Sequence, residues 1–210
     1  MKSIGRSLLL LTAALLLTAL GFAQSDSAAE FHANGNGGVQ TADIQFMREA
    51  AQDNSAKLDL AYLALKNSDN EQVKAFARQV LVDYGKANTD LSDIARAQFV
   101  AGWTPEVSSK QQDTYDALSQ LHGKAFDKAY METMLKGNKT DVSRLKQEAT
   151  KGNNQSMIDW SRQMLATTES NFKEAQKVAP LVGVHSTLTS EEQQSLNASK
   201  PVDTVSPGAH

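Results

Sequence analysis

Four polar residues interrupt four apolar stripes. Lys57, Tyr84, Asn138 and Asn171 each fall where helical periodicity places a core residue, one in each of the chain's four long helical patterns. Side chains contributed by facing helices to a shared interior are how metal and ligand sites are built in bundles. As ligands, however, these four are poor. Lysine is a cation, asparagine a weak neutral oxygen donor, and tyrosine binds metal well only once deprotonated. Together they suit a different chemistry, in which a buried ammonium is held by hydrogen bonds and a counter-charge. A lone ammonium in the core would be costly. Asp83 or Asp127 is expected to neutralise it, with Asn138, Asn171 and the Tyr84 hydroxyl as hydrogen-bond partners and Tyr130 as a further polar residue of the core. The competing expectation is that Lys57 snorkels to solvent along its aliphatic stem and that Tyr84 and the two asparagines lie at the rim of their stripes.

Other chemistry is thinly represented. The histidines, His32, His122, His185 and His210, are scattered, and none has a Glu three residues before it, so the Glu-x-x-His signature of di-iron bundles is absent. There is no cysteine, which excludes disulfides, thiolate metal sites and cysteine nucleophiles. No serine sits in a Gly-x-Ser-x-Gly turn, and no phosphate-cradling glycine loop precedes a helix. Glu49 and Asp53, four residues apart, could pair as acid and base, but two carboxylates on a helix face are more often simply solvated. Met131, Met134, Met157 and Met164 fall on core stripes and read as packing.

The elements that must position these residues are all helical. Helical patterns run over about 42–67, 69–101, 124–151 and 155–179, and a shorter one ends near His122 and Gly123. On the second, Val73, Ala77, Val80, Tyr84, Ala87, Leu91 and Ile94 are spaced alternately four and three apart, one continuous face. Ser68 and Glu71 have capping-box spacing for this helix, Gly102 closes it, and Thr104 with Pro105 restarts the chain. Gly85, beside Tyr84, leaves space where helices approach closely. No strand pattern competes. The expected fold is all-α, an antiparallel four-helix bundle over 42–180 with an extra short helix before the third long helix.

The ends read differently. "SLLLLTAALLLTAL" follows Lys2 and Arg6 and precedes small residues, the order of a secretory signal peptide over 1–23 with cleavage after Ala23. Residues 24–41 read as a flexible linker and 181–210 as a mostly disordered tail. Residues 24–210 carry 19 Lys and Arg against 24 Asp and Glu, a net charge of −5, so nothing attracts nucleic acid. No later segment is apolar and long enough to span a bilayer. The expected location is periplasmic or secreted, with outer-membrane association open.

"ADIQFMREAA", "LAYLALKNSDNEQVKAFARQVLVDY", "ANTDLSDIA" and "LHGKAFDKAYMETML" resemble the bacterial exported family called domain of unknown function 4142, over about 42–178. Its members are similar to ferritin-like helical bundles. The family pattern implies a Glu where this chain has Lys57 and a His at each of the positions held here by Tyr84, Asn138 and Asn171, with Ala166 in place of a proline before the last. One Glu and three His on facing helices would suit a borderline divalent metal. The resemblance thus implies that the four positions are degenerate former ligands, that Asp83, Asp127 and Tyr130 remain around them, and that a lysine ammonium stands where a metal cation stood. No cofactor is expected. Two functional readings follow. The favoured one is a non-enzymatic exported bundle, structural or binding an unidentified envelope or protein partner. The alternative is a metal-binding or metal-dependent redox protein of ferritin-like type.

Overall fold

The computed structural model describes residues 41–185. The expected signal peptide, nearly all of the linker and the tail beyond His185 lie outside these residues. Among the described residues every regular element is helical: α1 (Thr41–Asn67), α2 (Glu71–Ala97), α3 (Ser109–Ser119), α4 (Gly123–Lys151), α5 (Gln155–Val178), and a closing 3₁₀ turn, Ala179–Val182.

Two hairpins make the bundle. Three residues join α1 to α2 and three join α4 to α5, too few for anything but antiparallel neighbours. Side-chain pairs set the register between hairpins. Lys57 meets Asp141 while Asp53 and Glu49 meet Arg144, so α1 and α4 run antiparallel. Asp83 meets Asn171 and Gln98 meets Asn154, so α2 and α5 do too. Phe76 lies on Tyr130 and Tyr84 bonds Asn138, which makes α2 and α4 parallel across the core. A parallel pair requires a connection that returns along the whole bundle. Residues 98–122 supply it. They start at the Arg48 level of α1, where Arg48 donates to the carbonyls of Ala101 and Gly102, and end where Asn67 donates to the carbonyl of Leu121. α3 lies along α1 within this crossover, with Gln111 bonded to Asp53.

The stripes read from periodicity form the core. Val73, Ala77, Val80, Tyr84 and Leu91 of α2 are fully buried, as are Met131, Met134 and Asn138 of α4. Each of the Val, Leu and Met side chains among them contributes about 1.5–3 kcal/mol on burial.

The ends of elements depart from expectation in four places. Asn70, not Ser68, caps α2: its Oδ1 accepts from the backbone N–H of Gln72 and Val73, while the Ser68 hydroxyl accepts from Asn70 N–H outside the helix. α2 stops at Ala97, four residues early, because Phe99 adopts φ 54° and breaks the helical ladder before Gly102 is reached. α3 starts at Ser109 under a capping box of Ser108 and Gln111, not at Thr104, leaving Thr104 and Pro105 in the crossover. The core also continues past residue 180. Gly183 turns at φ 79°, Val184 N–H bonds Ala179 O, and Val184 is buried, so the chain packs on the domain through Val184. Asn70→Ala removes a cap serving two backbone donors and is expected to cost about 1 kcal/mol in urea unfolding. Ser68→Ala is expected to cost less, and the reverse order would put the cap back at Ser68.

Candidate functional site

The middle of the bundle is polar. Lys57 projects from α1 and is only 7% exposed. Its ammonium forms an ion pair with Asp141 of α4, the two side chains being 9% and 14% exposed. The same nitrogen lies 4.7 Å from the centroid of the Tyr84 ring, in cation–π range. The Tyr84 hydroxyl, fully buried on α2, donates to Asn138 Oδ1 of α4 at 2.7 Å. Thr168 and Asn171 of α5 lie beside the same phenol oxygen. Asn171 Nδ2 donates to Asp83 Oδ2 at 3.0 Å, and Asp83 also accepts from Gln79. Lys57, Tyr84, Asn138 and Asn171 therefore meet around one phenol, each from its own helix.

Their backbone explains the convergence. Tyr84 and Asn138 occupy the same level of the parallel diagonal pair, eight residues beyond the Phe76–Tyr130 contact on each helix. Lys57 comes from the neighbouring antiparallel helix and its stem passes Gly137, where an added Cβ would stand 3.6 Å from Lys57 Cε, an ordinary contact.

Several expectations need correction. Lys57 does not snorkel: a counter-charge reaches it inside the bundle, so the stem has no reason to exit. That counter-charge is Asp141, not Asp83 or Asp127. Asp83 is turned to the α2–α5 seam. Asp127 is buried nearer the start of α4, with Oδ1 lacking a hydrogen-bond partner, and the buried Tyr130 hydroxyl likewise has none. Tyr130 stacks on Phe126 instead, with ring centroids 5.7 Å apart. Gly85 marks no close approach, since a Cβ there meets nothing within 4 Å. Glu49 and Asp53 are not an acid–base pair, because both are held by Arg144. The residues missed were Asp141 and Arg144. Their signal was present: Glu49, Asp53 and Lys57 at four-residue steps complement Asp141 and Arg144, but only in the antiparallel register of α1 and α4.

The electrostatics follow the packing. Burial opposes the Lys57 charge, but the Tyr84 phenol, the Asp141 carboxylate and, less strongly, Asp53 outweigh it, and its pKa lies above that of ordinary lysine. Burial raises the Tyr84 pKa against the pull of Lys57, and burial then the Tyr84 phenol raise that of Tyr130. Asp53 is pushed up by its own burial and by Asp141. For all three of Lys57, Tyr84 and Tyr130 the folded pKa exceeds the unfolded one, about 10.4 for lysine and 10 for tyrosine. The unfolded chain then sheds its protons first as pH rises. Their stabilising contribution is complete below about pH 10 and is lost above it. Thermal unfolding is expected to hold its midpoint from neutrality to about pH 9 as far as these groups decide, then fall steeply. Absorbance at 295 nm should show Tyr84 and Tyr130 ionising only with the loss of helical circular dichroism. Their titration in the folded state would place both at the surface.

The residues present do not fit a metal. An ammonium and a guanidinium occupy the positions nearest the two central carboxylates, Asp141 and Asp53, and among the described residues no group of three or more His, Cys, Asp and Glu is placed to hold one. The arrangement binds its own cation. Fold and site together define a helical bundle with one long crossover and a charged, hydrogen-bonded centre. The chain belongs to the family described as "Domain of unknown function (DUF4142)", whose sequence pattern matches residues 28–178. It is similar in structure to the crystal structure of a DUF305 fragment from Deinococcus radiodurans, with a TM-score of 0.61 at 14% identity over 68% of this chain and 97% of that one. That similarity concerns the fold alone. Comparison with curated proteins finds no match.

Proposed function

We propose that this protein is an exported, non-enzymatic member of its family, structural or partner-binding in the cell envelope, whose ferritin-like centre carries a lysine where the family pattern implies a metal site. The observation that carries the reading is the Lys57–Asp141 pair seated on the Tyr84 ring, because a protonated ammonium at that point repels a divalent ion. The single crossover and the parallel α2–α4 diagonal support the ferritin-like assignment, since ferritin-like bundles have one long crossover. The apolar run before Ala23 supports export, to the periplasm or the medium.

Two measurements test it. Fractionation with mass spectrometry is expected to find a chain starting near Gln24 outside the cytoplasm; an intact Met1 on a cytoplasmic protein removes the export half. Elemental analysis of untagged protein, with calorimetry against Zn²⁺, Mn²⁺ and Fe²⁺, is expected to find no stoichiometric metal. Lys57→Glu, Tyr84→His, Asn138→His and Asn171→His combined are expected to create zinc affinity and a melting temperature that rises with occupancy. Tight metal in the wild type would restore the metal-dependent alternative. A folded quadruple variant without zinc affinity would mean that these positions were never a ligand set.

A further inference from the structure

The α1–α2 and α4–α5 hairpins each close through three residues, so register within a hairpin is fixed by its loop. Register between the hairpins is not fixed in this way. Residues 98–122 join them, irregular on both sides of α3, and hydrogen bonds from Arg48 and Asn67 hold that crossover to α1. Apolar contact discriminates weakly among dockings one turn apart. The buried positions of α1 and α4 recur at steps of three or four residues, so a slide of one turn, about 5.4 Å, sets one row on the other again.

The polar centre tells these dockings apart. As observed, Lys57 meets Asp141, Arg144 meets Asp53 and Glu49, and Tyr84 meets Asn138. A slide of α1 one turn toward the start of α4 keeps Glu49 near Arg144, but it brings Asp53 level with Asp141 and leaves Lys57 level with Gly137, without a counter-charge. The opposite slide brings Lys57 level with Arg144 and Asp53 level with Glu148. Either slide sets the buried Tyr84 hydroxyl against Met134 or Val142 in place of Asn138. Buried like charges and unbonded hydroxyls are costly, and fixing register is the best-attested use of buried polar groups. We propose that the polar centre is a register lock: its charges and hydrogen bonds exclude the neighbouring dockings of one hairpin on the other rather than tighten the observed one. The lock depends neither on export nor on any former metal.

The chain has no cysteine, so spin labels can be placed cleanly by Tyr62→Cys on α1 and Thr150→Cys on α4, both exposed positions. Pulsed electron resonance on the otherwise wild-type chain is expected to give one distance between them. Lys57→Met, Asp141→Leu, Tyr84→Phe and Asn138→Leu, with Asp53→Asn and Arg144→Gln at the rim, are expected together to keep the helical circular dichroism. They are also expected to add a second distance about 5 Å from the first, one turn along the axis. A single wild-type distance in this variant overturns the proposal, because the apolar rows then set register alone. Charge reversal decides the matter if that variant does not fold. Glu49→Lys, Asp53→Lys and Lys57→Glu on α1 are expected to lose the wild-type distance, and adding Asp141→Lys and Arg144→Glu on α4 is expected to restore it. Reversal of α1 alone that keeps the wild-type distance, or a full reversal that does not regain it, also overturns the proposal.

Discussion

Replacing Lys57 with methionine is expected to cost about 3 kcal/mol, the low end of the range for removing one partner of a buried ion pair. Methionine keeps most of the stem's volume, so the loss is electrostatic. Asp141, with its side chain 14% exposed, would keep a charge whose ion-pair partner has gone, and Asp53 nearby would repel it. A loss of this size is a large fraction of the 5–15 kcal/mol that holds a typical domain together, and it should lower the melting temperature by roughly 10 °C. The pair itself need not be a net gain over apolar residues. Lys57→Met with Asp141→Leu is therefore expected to return to within about 1 kcal/mol of wild type, or to exceed it. A single variant that melts within a degree of wild type would mean that Lys57 finds solvent and that the pair is a surface contact. Arg144 offers the control: its partners Glu49 and Asp53 are 46% and 29% exposed, so Arg144→Met should cost clearly less.

The bundle was legible from periodicity because its core faces obey it closely. Asp127, Met131, Met134, Asn138, Val142 and Leu145, at helical spacing along α4, are all buried, and so are the α2 stripe positions from Val73 to Leu91. What periodicity cannot carry is register between helices. Lys57 was visible as an anomaly on its own stripe, but its partner lies three residues beyond Asn138, on the flank of α4, and only the offset of α1 against α4 brings Asp141 to it. Asp127 looked better in sequence because it lies on the stripe itself. The helix ends failed for local reasons. Asn, Ser and Asp all cap helices, so "NSDNE" contained several candidate caps, of which the structure uses Asn70. Phe99 at positive φ carries no signal, since that conformation is uncommon for any residue but glycine.

The remaining large effect concerns why a phenol stands at the centre at all. Tyr84 has two attachments: its ring face under the Lys57 ammonium and its hydroxyl on Asn138. Tyr84→Ala removes both and opens a cavity at a fully buried site, and is expected to cost about 3–5 kcal/mol. Tyr84→Phe keeps the ring and so keeps the cation–π contact. It loses one hydrogen bond and leaves Asn138 Oδ1 without a donor, beside an Nδ2 that already lacks a partner, an expected cost of about 1–3 kcal/mol. Pairing Tyr84→Phe with Asn138→Leu removes both polar ends and should recover much of that cost, because no unsatisfied group then remains. Chemical denaturation of the four proteins separates the terms. If Tyr84→Phe costs as much as Tyr84→Ala, the hydroxyl accounts for the whole loss. If Tyr84→Ala costs more, the excess is what the ring contributes through packing and the contact with the ammonium together, which explains a tyrosine here better than a hydroxyl carried on a smaller side chain.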